Sequence, residues 1–280
     1  MRCSANQSRP KRQYELAKSL ELRSDLRPLI LAAHPDDEAV GASAVIMRCP
    51  ETTVVYLTDG APRDRNLRSP DVIGPRERYV RTRVLEANAA LRVAGIEGDQ
   101  SIFLGVVDQE AVFEIAPRAL YFASLLERLR PDIVITHPYE GGHPDHDAAA
   151  LIARLSLNIL TCADVPVPDL VEMTSYHARD GALVVGAFLD RSAQPSMVIE
   201  LSSEELGRKR AMLNAYGSQW RVLQSFDVSS ETLRIPPKYD FRLPPHDGKL
   251  WYECLGWRMT GRRWRSLAAG AILEVEQQCA

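Results

Sequence analysis

The run His137-Pro138-Tyr139-Glu140-Gly141-Gly142-His143-Pro144-Asp145-His146-Asp147 holds three of the chain's six histidines, two aspartates and a glutamate. A second group, His34-Pro35-Asp36-Asp37-Glu38, adds one imidazole and three carboxylates. Imidazole nitrogen and carboxylate oxygen together suit a hard-to-borderline divalent cation, zinc first among them. Structural zinc sites are closed by four ligands, whereas catalytic ones keep three and leave a position for water. Two histidines and a carboxylate make such a three-ligand set, with acidic and imidazole groups left over. A cation there would bring the pKa of water toward ~7, a carboxylate outside the ligand set could take the remaining proton, and a spare histidine could stabilise an oxyanion or protonate a leaving amine. The structural alternative for His34 to Glu38 is a pair of helix-capping aspartates beside a satisfied histidine. That motif alone leaves the two readings even, and the second cluster tips them toward metal. His177 and His246 stand alone and read as structural.

Both clusters follow apolar runs. Leu29-Ile30-Leu31-Ala32-Ala33 suits a central parallel strand covered on both faces, and Pro35, with no N–H to donate, ends its ladder. Pro131 to His137 repeats the pattern of an apolar strand stopped by His-Pro. Ligands at the carboxyl ends of two strands would meet at one edge of an open α/β sheet. Helical composition follows each cluster, at 38–47 and 147–160. Further strands are expected at 52–58, 101–105, 170–176, 182–189 and 197–201, and helices at 13–23, 75–93, 116–129 and from 202 through 213 toward 220. The arginines of the 75–93 helix read as a solvated face. Residues 61–74 form a long arginine-bearing loop at the ligand end of the sheet, where substrate is expected to bind. Strand and helix alternate, which predicts an α/β fold with a mostly parallel sheet, helices on both faces and right-handed crossovers. The expected organisation is a leader and short helix at 1–27, a catalytic domain at 28–222, and a loop-rich C-terminal extension at 223–280 packing on that domain.

Among 280 residues, 34 basic against 37 acidic side chains and 45% hydrophobic residues describe a globular protein with material for a sizeable core. A net charge of -3 gives no electrostatic reason to expect nucleic acid as partner. The five cysteines are scattered and never spaced Cys-x-x-Cys, so neither a disulfide framework nor a cysteine zinc site is indicated, and a cytoplasmic location is expected. No apolar run approaches the ~20 residues of a membrane-spanning helix, and the first residues lack the apolar core of a secretion signal.

His34-Pro35-Asp36-Asp37-Glu38 after one apolar strand and His143-Pro144-Asp145-His146 after another resemble the PIG-L/LmbE-like family of zinc-dependent N-deacetylases. The resemblance runs over roughly residues 28 to 220. Thr58-Asp59-Gly60, the helix after Pro75, Phe103-Leu104-Gly105 and Lys209-Arg210-Ala211 to Ser218-Gln219 fall in family-like order. It implies a Rossmann-like fold and removal of an N-acetyl group from an amino sugar or its conjugate, of the N-acetylglucosaminyl type. It further implies Zn2+ held by His34, Asp37 and His146, with Asp36 as general base, His143 as the oxyanion-stabilising or acid histidine, and Asp145 orienting a histidine. Two departures stand out. Some family members carry a mobile tyrosine two residues before the position of His143, where this chain has Gly141, and Tyr139 is the candidate replacement. Ala61-Pro62-Arg63 follows Gly60, which makes Arg63 a candidate contact for substrate hydroxyl or phosphate. The partner expected is a small N-acetylated sugar or glycoconjugate, with no nucleic acid and no integral membrane segment, and a homo-oligomer left open. Rival readings are an amidase for a larger acyl group or thiol conjugate, and a non-catalytic sugar- or nucleotide-binding module. Against the module, no Gly-x-Gly-x-x-Gly follows the first strand, and the carboxylates there would repel a pyrophosphate.

Overall fold

The computed structural model describes residues 25–96, 100–189, 196–226 and 229–279. The short helix expected at 13–23 lies outside them. Seven strands form one sheet in the order β3-β2-β1-β4-β5-β9-β8. The parallel part comprises β1 (Pro28–Ala32), β2 (Thr53–Thr58), β3 (Ser101–Val106), β4 (Ile133–Thr136) and β5 (Asp169–Met173). Two antiparallel strands, β9 (Ser230–Arg234) and then β8 (Ser196–Glu200), extend it beyond β5. Strand order reverses between β1, whose chain goes on to β2, and β4, which lies on its other side. That switch point opens a crevice beyond the carboxyl ends of β1 and β4.

All five residues of β1 are buried, and alternate side chains feed two cores. Leu29 and Leu31 join α4 (Ile115–Leu129), α5 (Pro144–Cys162) and α9 (Gly261–Gln278) through Phe122, Leu151 and Trp264, all buried. Ile30 and Ala32 face the opposite layer, α1 (Asp37–Gly41), α2 (Ser43–Arg48), α3 (Arg76–Ala94) and α6 (Ser203–Ala215), through Val45, Ala87 and Met212. Helices therefore cover both faces, as the alternating pattern predicts.

Three local features differ from expectation. The helix expected at 38–47 breaks at Ala42, whose φ of -143° is not helical. The buried Glu231 carboxylate accepts from Ser43 Oγ (2.5 Å) and Ala44 N (3.0 Å), capping the restarted helix, and Lys209 Nζ neutralises it at 2.8 Å. The run expected as one strand at 170–176 ends at Met173, because Thr174 N donates to Thr232 O while Ser175 O accepts from Gly186 N. The chain then leaves the sheet as a separate hairpin, β6 (Tyr176–Arg179) with β7 (Ala182–Val185). The C-terminal part supplies β9 to the sheet and ends in the 18-residue helix α9. Two short helices complete the set, α7 (Trp220–Leu223) just before this part and α8 (Trp251–Cys254) within it.

Candidate metal centre

Three strand ends are tied together where the motifs emerge. Ala33 N donates to His137 Nε2 (3.0 Å), joining β1 to the end of β4, and the amide and hydroxyl of Thr58 both donate to Ala33 O. Pro35 then turns the chain. Asp36 adopts φ 135°, a region non-glycine residues rarely occupy, at a cost on the order of 1–3 kcal/mol. Its amide donates to Glu38 Oε2 (3.1 Å) and its carboxylate accepts from Arg83 Nη2 (3.0 Å), which holds the turn. The turn sends Asp36 toward α3 and Asp37 toward the histidines.

His34 Nδ1, His146 Nε2 and the Asp37 carboxylate lie 3.3 Å from one another in every pairing, with Oδ2 facing His34 and Oδ1 facing His146. Donors about 2.0–2.1 Å from a tetrahedrally coordinated ion are about 3.3–3.4 Å apart, the spacing of the two ring nitrogens, and the Asp37 carboxylate stands beside both. Hydrogen-bond partners separate ligands from donors among the rings. His34 Nε2 faces Asp145 Oδ2 (3.2 Å) and His146 Nδ1 faces Ser175 Oγ (3.0 Å), contacts that turn His34 Nδ1 and His146 Nε2 toward Asp37. His143 Nδ1 accepts from Asp145 N (3.1 Å), so its Nε2 carries the hydrogen and can donate. His137 also stands among the donors, with its ring stacked 4.0 Å from that of His146. Its Nε2 lone pair is taken by Ala33 N–H, which makes it a wall of the site.

The charges follow from this packing. Burial works to raise Asp37, but the His146 and His137 imidazoles overcome it and hold the carboxyl well below its ordinary range, as an anionic ligand requires. Burial pushes Asp36 up to about 6, with Arg83 acting the other way. A carboxylate poised there can accept a proton near neutral pH. Burial and the neighbouring His34 and His146 keep His143 well below its usual value, so it is a neutral N–H donor. Asp145, fully buried, accepts from Gln109 N (2.6 Å), Ala111 N (3.1 Å) and His34, and so locks the His34 ring to the segment after β3.

His34, Asp36, Asp37, His143 and His146 line one cavity of about 310 Å³. Sequence reasoning missed several of its other groups. Asp108 closes the floor, with Oδ1 3.5 Å from His34 Nε2 and 4.0 Å from His143 Nε2. Arg83, expected on a solvated face, is 1% exposed; it donates to Pro35 O and Asp36, with Glu86 (3.5 Å) beside it. A signal existed in Thr58-Asp59-Gly60: Gly60 has φ +60°, and a Cβ there would meet Arg83 Nε at 2.7 Å. Asp59 pairs with Arg76 at the start of α3, and Gln219 reaches the cavity from the Ser218-Gln219 stretch.

Two expected substrate contacts lie elsewhere. Tyr139 is packed against Phe241 and Trp264, and its hydroxyl donates to Leu243 O (2.8 Å), so it belongs to the core. Arg63 stands outside the cavity with its side chain paired to Glu110 at 2.6 Å. His177 is buried against Ala178 O and His246 contacts Asp247 O, both away from the cavity. The apolar walls include Leu183, Val222, Phe226, Trp251, Leu255 and Trp257. Among the described residues no helix is long and apolar enough to cross a membrane.

The family model PIG-L, GlcNAc-PI de-N-acetylase, matches residues 29–156, the stretch that carries both histidine motifs. No curated protein matched. Among solved structures, the zinc inhibited form of teicoplanin deacetylase Orf2 aligns with TM-score 0.54 and 16% identity over 74% of this chain and 97% of that one. N,N'-diacetylchitobiose deacetylase from Pyrococcus horikoshii, complexed with its inhibitor MPG, aligns with TM-score 0.50 and 17% identity over 84% and 95%. The 4-carboxy-2-hydroxymuconate hydratase GalB from Pseudomonas putida KT2440 gives TM-score 0.50 and 15% identity over 77% and 98%. At these identities the structural likeness establishes the fold alone.

Proposed function

From a chain whose residues 29–156 form a PIG-L domain of Rossmann-like fold, we propose a zinc-dependent hydrolase that removes the N-acetyl group of an amino sugar or its conjugate. The observation that carries this reading is the convergence of two imidazole nitrogens, His34 Nδ1 and His146 Nε2, on the Asp37 carboxylate at 3.3 Å, beside the His143 ring and the Asp36 carboxylate. His34, Asp37 and His146 would hold a divalent cation, which when bound would supply Lewis acidity for hydrolysis of the amide. Asp36 takes the proton of the attacking water, and Arg83 holds its carboxylate in place. His143 Nε2–H donates to the acyl oxygen as negative charge develops there. Asp145 and Ser175 hold the two ligand rings in orientation. Asp108 and Gln109 offer polar groups suited to sugar hydroxyls.

The apolar walls favour a second reading of the same chemistry, in which the substrate carries a larger acyl chain or an apolar aglycone. One screen covers both. Protein loaded with one equivalent of zinc is incubated with N-acetylglucosamine, diacetylchitobiose, aryl N-acetylglucosaminides and N-decanoylglucosamine, and free amine and released acid are measured. Acetate from the aryl glycosides supports the deacetylase, and decanoate supports the larger acyl group. No amine from any of them, with zinc, cobalt or iron, contradicts both.

A further inference from the structure

We infer that Tyr176 is a catalytic residue whose phenol O–H donates to the acyl oxygen of the bound amide, an inference that rests on the hydrolase reading above. The corner between β5 and β6 lies over the ligand cluster and belongs to neither histidine motif. Ser175 contacts His146 Nδ1 at 3.0 Å, and the next ring, Tyr176, stands 5.2 Å from the His146 ring in a T-shaped contact. Tyr176 lines the cavity with His34, Asp36, Asp37 and His143.

The approach of this corner depends on the glycine pair of the second motif. A Cβ on Gly142 would sit 1.9 Å from Tyr176 O, so any other residue would push the tyrosine away from the cluster. Three other tyrosines have their hydroxyls committed, Tyr139 to Leu243 O, Tyr216 to Glu38 and Tyr239 to Glu172, and none of the three lines the cavity. Among the described residues no group hydrogen-bonds the Tyr176 hydroxyl, and the ring is partly open to the cavity. A tyrosine phenol ordinarily holds its hydrogen at neutral pH, so this hydroxyl is available as a donor.

When water adds to the acyl carbon, the carbonyl π pair moves to oxygen, and Tyr176 O–H and His143 Nε2–H can both donate to it. Breaking the C–N bond restores the carbonyl, and the amine leaves with the proton passed on from water. The phenol gives up no proton in the cycle. A donor of this kind is worth roughly 10²–10³ in kcat.

The test compares zinc-loaded wild type with Tyr176→Phe in three measurements: zinc content, turnover of the substrate found by the screen, and calorimetric binding of methylphosphonate, a tetrahedral anion, against planar acetate. Expected are unchanged zinc content, KM within threefold, kcat lower by about a hundredfold, and methylphosphonate affinity lowered at least tenfold with acetate little changed. Unchanged kcat, equal weakening of both anions, or loss of zinc in proportion to activity would overturn the inference. Should wild type cleave no amide, the hydrolase reading fails by itself, and the methylphosphonate comparison still decides whether Tyr176 faces a tetrahedral oxyanion.

Discussion

Asp36 and Asp37 are adjacent in sequence and face different partners, an arginine in one case and three imidazoles in the other. Neither side chain can take the other's place without undoing the turn at φ 135°. The substitutions should therefore separate. Asp37→Asn replaces an anionic donor by a neutral amide and should lower metal affinity, with activity partly recovered as metal is added. Asp36→Asn should keep its metal and lose about 10²–10⁴ in turnover, the loss expected for a general base, with no recovery at any metal concentration. Metal content and rate, measured for both across metal concentrations, check this. Equal loss of metal in both would make both aspartates ligands.

At the scale of elements, the helices behind the sheet are held by buried or half-buried ion pairs. Ser202 and Glu205 form a capping box at the start of α6, and Arg48 on α2 donates to both Glu205 oxygens at 2.7 and 3.0 Å. The Arg48 hydrogen bond brings Glu205 down to about 2. Because the folded value is depressed, its contribution is complete above the unfolded carboxylate range of ~4.3 and is lost as pH falls toward about 2. Glu205→Gln should thus destabilise by about 1 kcal/mol at pH 7. Denaturation of both proteins at pH 7, 4 and 2.5 checks it, since the gap between them should close at the lowest pH. The two motif-bearing strands were legible because central parallel strands read as unbroken apolar runs and His-Pro stops them. The break at Ala42 was not, since it depends on Glu231, which lies far along the chain. Arg83 was hidden because a helix rich in arginine reads as solvated, and its burial depends on the space left by Gly60. Ser175 and Tyr176 were hidden because their apolar and β-branched neighbours read as one continuous strand.

On the scale of the whole molecule, the centre draws on most of the described chain. Trp264 Nε1 of α9 donates to Pro144 O (3.0 Å), which fixes the first turn of the helix that carries His146. The β6–β7 hairpin, α7 and residues 251–257 wall the cavity, so the part expected to be an extension contributes to the site that the motifs begin. Those walls carry no recognisable motif, which is why the ligand set was readable and the substrate contacts were not. The account depends on one cation making this assembly a hydrolase. The most direct test strips metal from the full chain and follows amine release as zinc is restored from none to two equivalents. The account predicts a negligible rate without metal, rising linearly to a break at about one equivalent per chain. A rate indifferent to stripping, or a rise with no break near one equivalent, would contradict it.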